Sequence, residues 1–591
     1  MPLRILVGYL RRQRPRYLVG LTLLLLSNAF ALAIPWILMG AIEAIRTGTT
    51  VAALTGSALA IVLLASLQGL TRAWSRFALL GASQRVEARI RDDLFARLLR
   101  LPPAFYQTQR TGDLMSRATN DLQAVAMLIG FGFLSLANTA IIYLGTLGAM
   151  LRIDPWLTLY ALAPYPALIA LAKRLNGRLH AETLAVQEQL SELSAKVQEN
   201  LTGAAVVRAY AMEPREVGAF ARLNAEYLRR SLRALRTQGA FSPLMGIMGG
   251  VGTLTVLWLG GKAVVDGRIT LGALVAFSSY LAFLTWPTIA LGWVLSIVRR
   301  GLTAMERVVE VLTVEPAVAD GPEARGPVAI QGAIEFRDLS FAYDGRDPAL
   351  RGISLAIPAG ACVAVVGPTG AGKTTLAALI PRLWDPPRGR LFIDGREIHT
   401  IPLADLRRAI GYVPQETFLF SRPLAENLAL GGGDGRLGWA ARVAGLADEV
   451  AAFPEGWGTV VGERGLTLSG GQRQRAALAR ALLVDPRILI LDDPFSSVDA
   501  EKEAEILAGL REVRRGRTTL LISHRLRAAR EADRIIVLDG GEIVEEGTHD
   551  ELLAREGVYA RLWRRQRLEE TLERFGGTPV PAGGSPGGSG P

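Results

Sequence analysis

Six apolar runs occupy the first half of this chain, near residues 18–42, 51–71, 122–151, 156–172, 241–265 and 271–298. Roughly 20 residues of helix cross the hydrocarbon core of a bilayer, and each run is close to that length or exceeds it. A large soluble protein can bury apolar helices, but six such runs in one half of a chain argue against that. The expectation is a domain of six transmembrane helices over residues 1–305. Half of the 591 residues are hydrophobic and mean hydropathy is +0.26. The excess lies before residue 305.

The arginines set the orientation. The N-terminal stretch "RRQRPR" is strongly basic, and the connections after runs two and four are long and arginine-rich ("RVEARIRDDLFARLLR", "RLNAEYLRRSLRALR"). The connections after runs one, three and five are short and hold few cations. This places the N-terminus, both long connections and everything after residue 299 in the cytoplasm, in a multi-pass protein of the cytoplasmic membrane. No signal peptide pattern is expected, because the first run is too long and lacks a small-residue cleavage site. The net charge of +11 is largely arginine flanking these runs, so nucleic acid is not an expected partner. The one cysteine, Cys362, lies in an apolar strand, which excludes disulfides within the chain. Residues 571–591, ending "GGTPVPAGGSPGGSGP", read as a flexible tail with nothing to bury.

The long connections read as helices continuing out of the membrane. "AETLAVQEQLSELSAKVQENL" carries apolar residues at helical spacing with charges between them. Two breaks, residues 102–117 and 200–216, supply the hairpin tips. Their aromatic and apolar content points to docking in the cytoplasm rather than to solvated turns.

After a linker at 306–330 the pattern changes to short β-rich runs alternating with helices and glycine-rich turns, an α/β domain over 331–570. In "ACVAVVGPTGAGKTTLAALI" an apolar strand runs into Gly367, Pro368, Thr369, Gly370, Ala371, Gly372, Lys373 and Thr374, with Thr375 following in a helix. This is G-x-x-x-x-G-K-[ST] in the strand–loop–helix setting it requires. The glycines let backbone N–H groups curl around phosphates, and the helix N-terminus adds a favourable field. Lys373 should reach the β- and γ-phosphates, and the Thr374 hydroxyl should coordinate Mg²⁺. Further on, "ILILDD" ends a buried strand in Asp492, placed to hold the same ion, usually through water.

Between these motifs lies "LSGGQRQR" (468–475), and here the chain resembles the ATP-binding cassette exporters with six membrane helices. The resemblance runs from the first apolar run to about residue 570 and includes "RTGDLMSR" and "GAAVVRAYAMEP", which are similar to those exporters' coupling helices. It implies ATP and Mg²⁺ as cofactors. It implies that Tyr343, closing "IEFRDLSFAY", stacks on adenine rather than filling the core. Gln415 in "GYVPQETFLF" resembles the glutamine that senses the γ-phosphate and shares the metal site. "VVGERG" (460–465) resembles the segment that touches the coupling helices. By the same resemblance Ser469, Gly470, Gly471 and Gln472 bind the γ-phosphate of a nucleotide held by a second cassette, and "SSVD" (496–499) runs between the two cassettes. His524, ending "TTLLISH", stands where the family keeps a histidine bridging the γ-phosphate and the attacking water. His180, His399 and His549 fall in no motif and are expected at the surface.

One position departs from the family pattern. Efficient members carry Glu directly after the magnesium aspartate, whereas this chain has Asp493. Its carboxylate is one methylene shorter and retracts by roughly 1.5 Å, and a misplacement of about 1 Å can cost on the order of 10²-fold in rate. Either the backbone adjusts and Asp493 still serves as catalytic base, or this site binds ATP and hydrolyses it poorly. Each composite site takes its phosphate loop from one cassette and its signature from the other, so the protein must dimerise. A homodimer would hold two weak sites. A heterodimer with a Glu-bearing half-transporter would hold one weak and one good site, and is preferred.

The polar points within the apolar half, namely Asn28, Gln68, Arg72, Asn138, Tyr143, Ser278, Ser279 and Trp286, either line a pathway or bond between helices. A mixed lining of this kind suits amphipathic drugs, lipids or peptides as exported substrates. The alternative function is an ATP-gated or regulatory membrane subunit that binds ATP without efficient hydrolysis.

Overall fold

A computed structural model describes residues 2–574 except Thr49, Gly433, Glu463, Arg464 and Leu466, and except the side chains at 167–169, 172, 176, 241, 242, 244–246, 248, 249, 289, 291, 434, 570 and 572–574. The tail expected at 571–591 falls mostly outside this range, as does the centre of "VVGERG". The chain divides into two compact units, Met1–Leu99 with Arg110–Val314, and Arg100–Gln109 with Glu315–Pro591.

The first unit is helical. Among the described residues four helices are long and apolar enough to cross a membrane: Arg14–Arg46, Val51–Leu98, Thr111–Ile153 and Leu271–Thr313. The fourth apolar run is split between helices Pro155–Leu162 and Tyr165–Thr202. The fifth lies in Glu213–Thr255 and continues to Val265. Both of these runs include side chains outside the described set. Local chemistry fixes where helices start. Thr50 accepts from the N–H of Ala53 ahead of Val51, and Asp154 accepts from Trp156 and Leu157 at 2.8 and 3.0 Å, each satisfying a donor the helix cannot. Val51–Leu98 is 48 residues long, far beyond one bilayer crossing, as the helical spacing of the long connections predicts. Within the expected tips lie the short helices Pro103–Thr108, which falls in the second unit, and Ala204–Ala209 in the first; the end of the first tip already belongs to Thr111–Ile153.

Small residues let these helices approach. A Cβ on Gly272 would stand 2.4 Å from the Met39 carbonyl oxygen. Polar side chains bond between helices: Asn28 Nδ2 donates to Asn138 Oδ1 at 3.1 Å, and Ser27 Oγ to the Gln68 carbonyl at 3.2 Å. Ser278 and Ser279 bond back to their own helix. Arg72 and Trp286 are exposed on the chain. At the base of the unit Arg117 meets Asp113 and Glu310, while Arg307 meets Asp113 and Asp121.

The second unit holds two sheets. β1 (Ile334–Ala342), β2 (Pro348–Ile357), β4 (Leu391–Ile393) and β5 (Arg396–Glu397) pair antiparallel in the order β2-β1-β4-β5. β3 (Cys362–Val366), β6 (Ile410–Val413), β7 (Ile488–Asp492), β8 (Thr518–Ile522), β9 (Arg534–Asp539) and β10 (Glu542–Gly547) form the order β10-β9-β3-β8-β7-β6. All pairs in this second sheet are parallel except β9–β10. Every residue of β3, β7 and β8 is buried, which is why they read as unbroken apolar runs. One expectation fails here. His399 is 6% exposed, not at the surface, because Asp385 and Glu397 each bring a carboxylate to 3.3 Å of its ring nitrogens. His549 is half-buried against the Tyr559 hydroxyl, and only His180 is exposed as expected.

Candidate nucleotide site

The sheet order places β8 between β3 and β7, in parallel, so three neighbouring strands end on one edge. In open α/β sheets that carboxyl edge is where ligands bind. The glycine loop leaves β3 there, His524 follows β8, and Asp492 ends β7.

The loop is built for backbone approach. Gly367 has φ +147°, and a Cβ on it would stand 2.0 Å from the Leu538 carbonyl oxygen. Gly372 caps the following helix in the left-handed region at φ +93°, which costs glycine little. Lys373 is buried, and its Nζ donates to the carbonyls of Gly367 and Pro368 at 2.9 and 2.7 Å. Burial lowers its pKa, against the pull of Asp493 and Asp492. Pro368, Thr369 and Gly370 are exposed, Ala371 is buried, and Thr375 is buried beneath the loop.

Asp492 is 1% exposed. Its Oδ1 accepts from Thr374 Oγ1 at 3.3 Å, and its Oδ2 is buried with no hydrogen-bond partner among the described residues. Burial pushes its pKa up to about 6; the Thr374 bond opposes this, Asp493 adds to it, and Lys373 opposes it. A buried carboxylate oxygen left unpaired is costly. Beside a threonine hydroxyl it is suited to a hard divalent cation such as Mg²⁺, which prefers oxygen ligands.

Asp493 sits in a constrained backbone. Its φ is +50°, a region that Asp enters more readily than most residues, and Pro494 after it already narrows the allowed range. Its N–H donates to the Ile522 carbonyl at 2.9 Å. Its Oδ1 accepts from the His524 N–H only at 3.5 Å. His524 itself is exposed at the strand edge. Partial burial of its ring lowers its pKa, the Lys373 charge lowers it further, and Asp493 opposes both.

The other expected residues stand apart from this cluster. Gln415 follows β6, is exposed, and has no hydrogen bond to Thr374 or Asp492 among the described residues. Ser469 is exposed and caps helix Gly470–Leu483, with Gln472 closing a capping box. No hydrogen bond among the described residues joins Ser469, Gly470, Gly471 or Gln472 to the glycine loop. Tyr343 is half-buried rather than exposed. Its hydroxyl donates to Thr375 Oγ1 at 3.0 Å, and its ring meets Trp384 edge-on with centroids 4.7 Å apart.

Residues 17–288 match the ABC transporter transmembrane region family, and residues 350–496 match the ABC transporter family. The probable multidrug resistance ABC transporter ATP-binding/permease protein YheI of Bacillus subtilis is 36% identical over 560 residues, 94% of this chain and 95% of that one. This chain is an ABC transporter. The multidrug resistance-like ATP-binding protein MdlA of Escherichia coli is 37% identical over 580 residues, 96% of each chain. The ATP-dependent lipid A-core flippase of Syntrophus aciditrophicus is 35% identical over 565 residues, 95% of this chain and 94% of that one. A solved bacterial Atm1-family ABC exporter with ATP bound has a TM-score of 0.77 at 30% identity, over 94% of this chain and 98% of that one. The transporter therefore has the exporter fold, a helical membrane domain followed by an ATP-binding cassette, and couples ATP hydrolysis to transport.

Two residues that support the transporter's site have contacts the sequence does not reveal. Trp384 braces Tyr343; its only signal in the sequence is a tryptophan placed after the loop's helix. Gln474 ties the signature helix to the loop after β7, accepting from the Ser497 N–H at 3.0 Å and donating to Ser496 Oγ and, at 3.5 Å, to the Asp493 carbonyl. It lies inside "LSGGQRQR", but its partners are about 20 residues away and sequence spacing does not reveal them.

Proposed function

We propose that this transporter is one half of a dimeric exporter that uses ATP to move amphipathic or hydrophobic molecules, such as drugs, lipids or peptides, out across the cytoplasmic membrane. Multidrug and lipid A-core relatives support that substrate range. Six spans lie within residues 1–305, a linker within 306–330 and the cytoplasmic cassette within 331–570. Gly367–Thr375 cradle the phosphates and Lys373 neutralises them. Thr374, Asp492 and Gln415 hold Mg²⁺, which when bound offsets phosphate charge. Tyr343 packs on adenine, His524 orients the attacking water at the γ-phosphate, and Ser469, Gly470, Gly471 and Gln472 grip a partner's nucleotide.

The chain's own site is weak in hydrolysis and its partner is a different half-transporter carrying Glu. The observation that carries this is Asp493, short, left-handed in backbone and only loosely bonded at its carboxylate. Asp493→Asn should change steady-state hydrolysis of the assembled dimer by less than about twofold, since little transition-state stabilisation is lost at a weak site. Ser469→Arg should nearly abolish it, because a bulky cation replaces a small donor at the good site. If Asp493→Asn silences the dimer, or the chain purified alone hydrolyses at full rate, Asp493 is a working base and the partner is a second copy.

A further inference from the structure

The N-terminal helix Pro2–Arg11 stands outside the nucleotide chemistry, and beside it lies an open cavity of about 710 Å³ within the membrane unit. Leu3, Leu6, Val7 and Leu10 face it, at the i, i+3, i+4, i+7 spacing of one helical face. Only Leu6 is buried; Leu3 remains 60% and Val7 44% exposed. The other walls are Phe133, Leu136, Val298, Leu302 and, from the turn Leu128–Gly132, Leu128 and Ile129; that turn is wound as a π-helix, a distortion that often marks functional positions. Tyr17 also lines the cavity and donates its hydroxyl to the Ile129 carbonyl at 3.0 Å.

The polar end of this cavity is formed by Arg11 and Arg14. Both are exposed, and neither pairs with a carboxylate among the described residues. An apolar chamber ending in two unpaired guanidinium groups is matched to an amphiphile with a hydrocarbon chain and an anionic head. A neutral drug leaves the arginines unused. A partner helix satisfies its own backbone and brings no counter-charge to the two arginines unless it also carries carboxylates. We infer that this cavity holds one anionic phospholipid of the cytoplasmic leaflet, with an acyl chain along Leu3, Val7 and Leu10 and its phosphate between Arg11 and Arg14. The inference rests on the cytoplasmic placement of the N-terminus, where anionic lipids concentrate. The lipid then fills the gap between the N-terminal helix and the π turn and holds that helix at the membrane surface.

The test is native mass spectrometry of the full assembled transporter, released from nanodiscs of phosphatidylglycerol and phosphatidylcholine. The expected result is selective retention of phosphatidylglycerol. Arg11→Gln with Arg14→Gln should lower that retention about 25-fold, because each of the two cations near the surface contributes about fivefold to anionic lipid binding. Val7→Trp, which narrows the chamber, should reduce retention of both lipids while leaving ATP photolabelling intact. Equal retention of the two lipids, unmoved by either variant, would mean an ordinary lipid annulus and overturn the inference. Displacement of the lipid by inorganic phosphate alone would also overturn it. Failure of the heterodimer would leave this test unaffected, because the cavity lies within one chain.

Discussion

Lengthening the carboxylate at 493 tests the weak-site reading in the direction of gain. In Asp493→Glu the added methylene moves the carboxyl outward by roughly 1.5 Å, and a positional error of about 1 Å is worth on the order of 10²-fold in rate. The backbone works against part of this. Position 493 has φ +50° and precedes proline, and Glu tolerates the left-handed region less well than Asp, a strain of the order of 1 kcal/mol or less when a single residue is held there. That would withdraw about fivefold if it fell wholly on the active geometry, since 1.4 kcal/mol is tenfold. The expected net gain is therefore roughly 10-fold or more. The assay is phosphate release by the purified chain alone, at a concentration where it self-associates, so that both composite sites carry the same residue at 493 and no better site masks the change. Mg²⁺-dependent ATP photolabelling should be unchanged, which separates chemistry from binding. A Glu variant that is no faster, or slower, would refute the reasoning: Asp493 would already be in reach, and the left-handed turn would be the adjustment that brings it there.

The other expectations are simpler. Lys373→Ala should weaken azido-ATP labelling of this chain by tenfold or more, on the order expected for loss of a buried phosphate contact; undiminished labelling would remove this loop as its nucleotide site. Gly367→Ala places a Cβ 2.0 Å from the Leu538 carbonyl oxygen and should destabilise the cassette by about 2 kcal/mol or more, read as a lower melting temperature of the full transporter; an unchanged melt would contradict the loop geometry. Tyr210→Ala, at an aromatic 75% exposed beside the short helix Ala204–Ala209, should lower transport more than basal ATPase activity, and equal losses would count against a coupling role.

Much of this molecule is legible in its sequence because the strongest signals are local. The glycine loop needs its residues consecutively, and β3, β7 and β8, buried on both faces, show as apolar runs ending at Val366, Asp492 and Ile522. The four long apolar helices are visible for the same reason. What escapes is set by contacts between distant segments. His399 looks like a surface residue until Asp385 and Glu397 fold around it. Trp384 has no motif, yet its ring packs edge-on against Tyr343. The φ of Asp493 is also invisible beforehand, although Asp before Pro after a buried strand is a pattern from which a tight turn can be anticipated.

The capping box at Ser469 has a consequence for how the cassettes part. Ser469 Oγ accepts from the Gln472 N–H at 3.2 Å, and Gln472 Oε1 accepts from the Ser469 N–H at 2.9 Å. The box takes up only these two N–H groups, and Ser469 Oγ serves in it as an acceptor. The hydroxyl hydrogen of Ser469 and the first-turn N–H groups of Gly470 and Gly471, which a helix does not satisfy internally, stay available to another acceptor. In the proposed dimer a partner's phosphate would therefore meet donors on a helix end whose shape is already set, and no bond of the box need break to receive it. When phosphate leaves, the same box keeps that end folded while the halves part.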